Sequence, residues 1–315
     1  MRTPRSISKL RPVALLRVVA AALVGVMALL HPSSASAQRP PTEKLETQKL
    51  TEGLHLITGP GGTILLMVGA GGVLLVDDEI APVTPQLQKA IAAVTPKPVR
   101  FVFNTHWHGD HTGGNAVFGG QGAVIVAHQN VRKRMSSEQF VALMNKKVPP
   151  SPEPALPVIT FADSLAFHLN GEDIEVVHVD PAYTDSDSLV FFKKANVLHM
   201  GDTFMSMGYP FADTSSGGTV DGIIKAADRG LAIAQPGTKI VPGHGPVADR
   251  EKLRVYRDMV VTIRDRIRKL VAAGKTPAEV QAAKPTAEYD AAWGVTFIRG
   301  PQLVETIYNE EAKKR

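Results

Sequence analysis

Cysteine is absent from the 315 residues, which excludes a disulfide scaffold and thiolate metal ligation alike. Aromatic residues are sparse, at 6%, and charged residues make up 21% against 44% apolar, a composition that excludes disordered and collagen-like chains and suits a globular core. No apolar run is long enough to cross a bilayer: Val18–Leu30 has thirteen residues, where about 20 are needed. An excess of one charge is also missing. The formal net charge is +5, but Arg2, Arg5, Lys9, Arg11 and Arg17 all lie before residue 38, and that stretch has no acid. The remainder holds 30 basic residues (35 minus 5) against 30 acidic ones. A neutral body gives no electrostatic reason to expect nucleic acid or an anionic membrane surface as partner.

The basic segment, the apolar run and the following Ser-Ala-Ser-Ala, with Ala35 and Ala37 as small residues before a cut, read as a secretory signal peptide over residues 1–37. No cysteine follows the run and no Arg-Arg pair precedes it, so neither a lipid anchor nor the twin-arginine route is expected. The expectation is a periplasmic or secreted protein whose mature chain starts near Gln38 and takes up metal outside the cytoplasm.

Gly53 to Pro82 alternates short apolar runs with glycine-containing turns, as a meander of hairpins would. Residues 85–94 have helical periodicity. Val99–Thr105, Ala123–Ala127, Ile174–Val179, Leu189–Phe192, Val197–Met200 and Lys239–Val241 read as strands. Val131–Lys147 reads as a helix, and five prolines in residues 148–157 make an extended loop. Helices follow Val220 and fill the C-terminal part from about residue 249. Leu253, Tyr256, Val260, Ile263, Ile267 and Leu270 form one apolar face that Gly274 can end, and Thr276-Pro-Ala-Glu279 has the form of a capping box. No break divides residues 38–315, so a single domain of sheet on sheet with helices outside is expected.

The densest chemistry is His106-Trp-His108-Gly-Asp110-His111, directly after a strand. Residues i and i+2 of an extended chain share a side, so His106 and His108 can converge, and a turn at Gly109 brings Asp110 and His111 round. Imidazole and carboxylate are what zinc takes when thiolates are absent. Asp202 ends another strand, and His244 sits between glycines in Pro-Gly-His-Gly-Pro, where backbone can crowd a ligand. Together these point to a binuclear metal site.

These three segments, in order and spacing, resemble the metallo-β-lactamase superfamily over roughly residues 45–250. The resemblance implies an α+β fold, a four-layer αβ/βα sandwich, with two zinc ions at one edge. It implies His106 and His108 as ligands of the first metal, Asp110, His111 and His244 as ligands of the second, Asp202 as the bridge, and Asp77 as a carboxylate behind the metal loop. Where the family carries the first metal's third histidine, this chain has Tyr183, in Ala-Tyr-Thr-Asp. Three arrangements answer to that: a phenol at the metal, a weak first site, or His178 as substitute, in that order of preference. The activity implied is hydrolysis by a metal-activated hydroxide of a small ester, lactone, thioester, amide or phosphoester, with Asp110 orienting the hydroxide and Tyr183 available to an oxyanion. A non-catalytic metal-binding protein and a mono-iron oxygen-dependent enzyme are the alternatives. The segment from Gly208 to Val220, rich in turn residues, is expected at the mouth of the site.

Overall fold

The computed structural model describes residues 44–314; the signal-peptide reading lies outside them. Two sheets carry the fold. The first has seven strands: β1 (Glu46–Thr51), β2 (Leu54–Gly59), β3 (Gly62–Gly69), β4 (Gly72–Val76), β5 (Val99–Asn104), β6 (Val124–His128) and, after a small hairpin of β7 (Gln139–Val141) and β8 (Lys146–Val148), β9 (Ile159–Phe161). Their spatial order is β1-β2-β3-β4-β5-β6-β9. The first four pair antiparallel, and β4-β5, β5-β6 and β6-β9 pair parallel. The second sheet runs in chain order: β10 (Ser164–Leu169), β11 (Glu172–His178), β12 (Ser188–Phe192), β13 (Val197–His199) and β14 (Lys239–Val241), with only β13-β14 parallel.

Period-two alternation sorts the side chains into layers. Leu74, Val76, Phe103 and Val126 of the first sheet meet Ile174, Val176, Val190 and Phe192 of the second in the central core. On the outer face of the first sheet, Val73, Leu75, Val102 and Ile125 pack against Leu87 and Ile91 of α1 (Thr84–Val94). Between β5 and β6 lie the short α2 (Gly109–Thr112) and α3 (Asn115–Gly120), and α4 (Gln129–Met135) follows β6. On the outer face of the second sheet, Leu189, Phe191, Leu198 and Ile240 pack against α5 (Val220–Ile233) and α6 (Arg250–Ala272). The chain closes with α7 (Pro277–Ala282), α8 (Ala287–Trp293) and α9 (Gly300–Lys313). This is the four-layer αβ/βα sandwich, and the described residues belong to one compact unit.

Helix ends follow their capping residues. Thr219 accepts from the Gly222 amide at the start of α5, Asp249 from Lys252 at the start of α6, and Thr276 and Glu279 close their box at α7. Two expectations change. The helix expected over Val131–Lys147 stops at Met135, where the Ser136 and Ser137 hydroxyls donate back to the carbonyls of Arg132 and Lys133; hydroxyls that bond the preceding turn compete with the helix ladder, and the chain continues as the β7-β8 hairpin. Strands β1, β9 and β10 were not expected from the sequence. β1 is exposed or half-buried throughout, so it has no apolar run, and β10 alternates exposed with half-buried residues, turning only Leu165, Phe167 and Leu169 to the core. Among the described residues no helix is long and apolar enough to cross a membrane.

Candidate metal centre

Strands β4, β5, β13 and β14 deliver the site. A clamp of three acids follows β4. Asp77 and Glu79 hold left-handed backbone, with φ +64° and +71°, and all three acids Asp77, Asp78 and Glu79 are fully buried. Such conformations cost about 1–3 kcal/mol each and persist only when surroundings enforce them. Here the metal loop does so. Asp77 accepts from the Thr105 amide at 2.7 Å, the Thr105 hydroxyl at 2.8 Å and His111 Nδ1 at 2.8 Å. Asp78 accepts from the Gly114 amide at 2.9 Å, and the Glu79 carbonyl from the Gly113 amide at 2.9 Å. Gly109 does not make the sharp turn expected of it. It opens α2, an added Cβ there would meet nothing, and its φ is not positive. One turn of helix after His108 is what brings Asp110 and His111 round.

The ligand from β14 is crowded in as its glycines require. A Cβ on Gly243 would stand 1.8 Å from Asp202 Oδ1, and Gly245 has φ +104°. The Gly243 carbonyl accepts from the Thr63 amide at 2.9 Å, and its own amide donates to Gly201 at 2.7 Å. His199 accepts from the Gly201 amide at 3.1 Å and sits 3.1 Å from the Thr63 carbonyl through its other nitrogen, fixing the turn that aims Asp202.

The result is a convergence of Asp110, His111, Asp202 and His244, with donor atoms all within 4.8 Å of one another. His111 Nε2 lies 3.2 Å from Asp202 Oδ1 and 3.5 Å from Asp110; His244 Nε2 lies 3.3 Å from Asp110 and 3.4 Å from Asp202 Oδ2. His111 Nε2 and both Asp202 oxygens are buried with no hydrogen-bond partner. Orphaned donors of this chemistry, with His111 oriented from behind by Asp77, fit a divalent ion. The electrostatics agree. Burial opposes charge on His111, yet Asp202, Asp110 and Asp77 raise it well above the usual histidine range; for His244 the same opposition is overcome by Asp202 and Asp110, which lift it to about 10. A field that holds protons on two imidazoles is equally a field for a cation. Burial also opposes charge on Asp202 and Asp110, but His244 and His111 around the first, and His111 with His244 around the second, hold both carboxyls below their ordinary range.

The other expected ligands, His106 and His108, lie outside this group of four. His106 Nδ1 is 3.0 Å from the Thr105 hydroxyl, and its buried, unpartnered Nε2 is 3.9 Å from Asp202 Oδ2. His108 Nε2 is 3.0 Å from Asp213 Oδ2, which leaves Nδ1 as the nitrogen open to an ion. Asp213 in turn accepts from the amides and hydroxyls of Ser215 and Ser216. Burial works against its charge, but the bonds to His108, Ser215 and Ser216 bring its carboxyl down to about 2. Tyr183 fills the space between, edge-on to His106 and to His108 with ring centroids 5.0 Å from each. Burial, then the nearby charges of Asp202 and Asp110, push its phenol well above 10 and so toward the protonated form. His178 is no substitute ligand, because its ring stacks on His128 at 3.7 Å and its Nδ1 is 2.8 Å from the Asp187 carbonyl. Sequence reasoning missed Asp213; the Asp-Thr-Ser-Ser run, a self-capping turn, was its one signal.

A family model for the metallo-beta-lactamase superfamily matches residues 56–249. The chain belongs to the metallo-β-lactamase superfamily. It is 26% identical over 145 residues to the 2,4-dinitroanisole O-demethylase subunit alpha of Nocardioides sp., covering 44% of this chain and 40% of that protein. It is also 26% identical over 201 residues to the lactamase-like protein aptB of Emericella nidulans, covering 62% of this chain and 55% of that one. The matches therefore span about half or less of these relatives' length. Among solved structures, a metallo-beta-lactamase from Pontibacter korlensis aligns with TM-score 0.56 at 22% identity, over 69% of this chain and 99% of that one. The stereoselective inverting sec-alkylsulfatase Pisa1 from Pseudomonas sp. aligns with TM-score 0.66 at 16% identity, over 84% and 50%. At these identities the likeness is one of fold. Of the ligand set that the superfamily implies, Asp110, His111, Asp202 and His244 converge, and His106 and His108 stand beside them with Tyr183 between their rings.

A cavity of about 830 Å³ opens over Asp110 and His244. Val141, Met144 and Val148 of the hairpin, Met205 and Met207 after β13, and Phe297 and Ile298 before α9 line it. Trp107 lines its floor and also anchors the metal loop, packed on Val131, Met135 and Leu156. Gly208 and Tyr209 reach the wall, as expected of their segment, while the Tyr209 hydroxyl donates to Asp290 at 2.9 Å.

Proposed function

We propose that this protein is an exported, zinc-dependent hydrolase of small neutral molecules that carry a bulky apolar group joined through an ester, lactone or thioester. The convergence of four metal-type donors under an open cavity carries this reading. The cavity's methionines and Phe297 support the apolar group, since side chains of this kind line ligand sites and flexible methionine adapts to shape. Met144, Met207 and Phe297 are 50%, 51% and 59% exposed, so their apolar surface is free to receive it.

Asp110, His111, Asp202 and His244 would hold the ion, which when bound lowers the pKa of water toward about 7 and polarises a carbonyl. His111 and Asp202 are buried and hold it from below. The side chains of Asp110 and His244 are 31% and 37% exposed and face substrate. The Asp110 carboxylate accepts the proton of the attacking water and orients it. Tyr183, kept as a neutral phenol on the cavity wall, donates to the developing oxyanion. The leader over residues 1–37 would place this chemistry in the periplasm or medium.

The test is a screen of the zinc-loaded chain from Gln38 against p-nitrophenyl esters of two to twelve carbons, aryl thioesters, lactones, amides, phosphodiesters and a β-lactam. Turnover that rises with acyl length and vanishes on chelation is expected. No turnover on any class by a metal-loaded chain overturns the reading.

A further inference from the structure

The two histidines of the four-residue group are held in different ways. His111 gives Nδ1 to the Asp77 carboxylate and turns Nε2 to Asp202. His244 turns Nε2 to Asp110 and Asp202, and its Nδ1 has no hydrogen-bond partner among the described residues. What stands against its ring is backbone. A Cβ on Gly62 would lie 3.4 Å from His244 Cε1 and 3.5 Å from His111 Cε1. Gly62 closes the turn Gly59-Pro60-Gly61-Gly62 between β2 and β3, whose three glycines supply little stiffness of their own. Glu79 holds that turn. Its side chain is fully buried and has no part in the chemistry above. Its Oε2 accepts from the Gly61 amide at 2.8 Å and from the Ile80 amide at 3.2 Å, and its Oε1 is buried without a partner. The carboxyl fills the room that side chains would need there: a Cβ on Gly59 would collide with Oε1, and one on Gly61 with Oε2.

We propose that Glu79 is a positioning residue of the metal centre, pinning the Gly59–Gly62 turn against the rings of His111 and His244. The turn then does for His244 by contact what Asp77 does for His111 by a hydrogen bond. The inference rests on the four-residue group being the metal site. The turn also reaches the loops that carry the other ligands. Beside Gly62, the Thr63 amide donates to the carbonyl of Gly243, the neighbour of His244, at 2.9 Å. The Thr63 carbonyl lies 3.1 Å from Nε2 of His199, whose Nδ1 accepts from the amide of Gly201, the neighbour of Asp202. Glu79 is fixed from its own side as well. Its backbone is left-handed, with φ +71°. Its carbonyl accepts at 2.9 Å from the amide of Gly113, which ends the helical turn bearing Asp110 and His111. One residue thereby joins the glycine turn, the acid clamp and the metal loop.

The experiment compares the chain from Gln38 with its Glu79→Ala, Glu79→Asp and Glu79→Gln variants. Zinc affinity comes from chelator competition, ligand geometry from the visible spectrum of the cobalt-loaded protein, and stability from urea denaturation without metal. Glutamine keeps an oxygen for the Gly61 and Ile80 amides, so Glu79→Gln is expected to match the parent in affinity and spectrum. Alanine offers no acceptor, and aspartate is a methylene too short to reach Gly61. Both variants are expected to bind zinc about 10–100-fold more weakly, as when an orienting partner is lost, and to shift the cobalt bands. If Glu79→Ala does not fold, Glu79→Asp and Glu79→Gln decide. Parent affinity and spectrum in Glu79→Ala or Glu79→Asp, with only the urea midpoint lowered, would leave Glu79 a role in stability alone and overturn the inference. Glu79→Gln binding as weakly as Glu79→Ala also overturns it. A parent that takes up no zinc removes the metal centre and this inference with it, whereas a parent and variants that bind alike remove the inference alone.

Discussion

His108 and His111 are three residues apart on the same loop, yet they give opposite ring nitrogens to their carboxylates. Around His111, carboxylates stand on both sides: Asp77 behind, Asp202 and Asp110 in front. Around His108, Asp213 bonds Nε2 and leaves Nδ1 open. A carboxylate on one ring nitrogen fixes which nitrogen an ion can meet. Residue type alone is therefore a poor guide to a ligand; the direction of its partner decides.

The largest effect should come from breaking the prepared side. His111→Ala is expected to abolish metal binding and reduce turnover to background, whereas His55→Ala on the distant β2 strand should leave both unchanged; zinc content and initial rates check this. Next is the support behind it. Asp77→Ala leaves His111 Nδ1 and the Thr105 amide without their acceptor, so zinc affinity should fall about 10–100-fold, the usual cost of losing such a partner. A competition titration with a chromophoric chelator measures it, and an unchanged affinity would remove Asp77 from the account.

The opposite side offers a smaller effect, read by pH. Burial raises Asp187, the clamp of the Tyr183 loop, to about 7. A carboxyl whose folded pKa lies above its unfolded value of about 3.9 binds its proton more tightly in the fold, so stability falls as pH rises from about 4 to 7 and its slope cannot exceed about 1.4 kcal/mol per pH unit. Asp187→Asn keeps an acceptor for the Tyr183 and Thr184 amides and should flatten that slope. Urea denaturation at pH 4.5, 5.5, 6.5 and 7.5 compares the two proteins, and equal slopes would place the titration elsewhere.

The prepared side was legible in the sequence because each of its ligands is marked locally. Asp110 and His111 follow a strand within a few residues, Asp202 and His244 adjoin glycines that crowded backbone demands, and Asp77 closes an apolar strand. The layers were legible for a similar reason, since buried strands and amphipathic helices write their period into the chain. The fate of His108 was not, because Asp213 lies 105 residues away and nothing near His108 announces it. Strand β10 was hidden by its shortness, with only Leu165, Phe167 and Leu169 turned to the core, and the end of α4 by two serines whose back-bonding is visible only once the helix is built. Tyr183 stood out as a departure, but its meaning depended on what lay across from it.

The most direct measurement of where a metal sits is anomalous diffraction at the zinc edge from crystals of the zinc-loaded chain. The account predicts a peak about 2.0–2.2 Å from the nitrogens of His111 and His244 and the oxygens of Asp110 and Asp202. A zinc-loaded crystal with no peak among these four residues would contradict it.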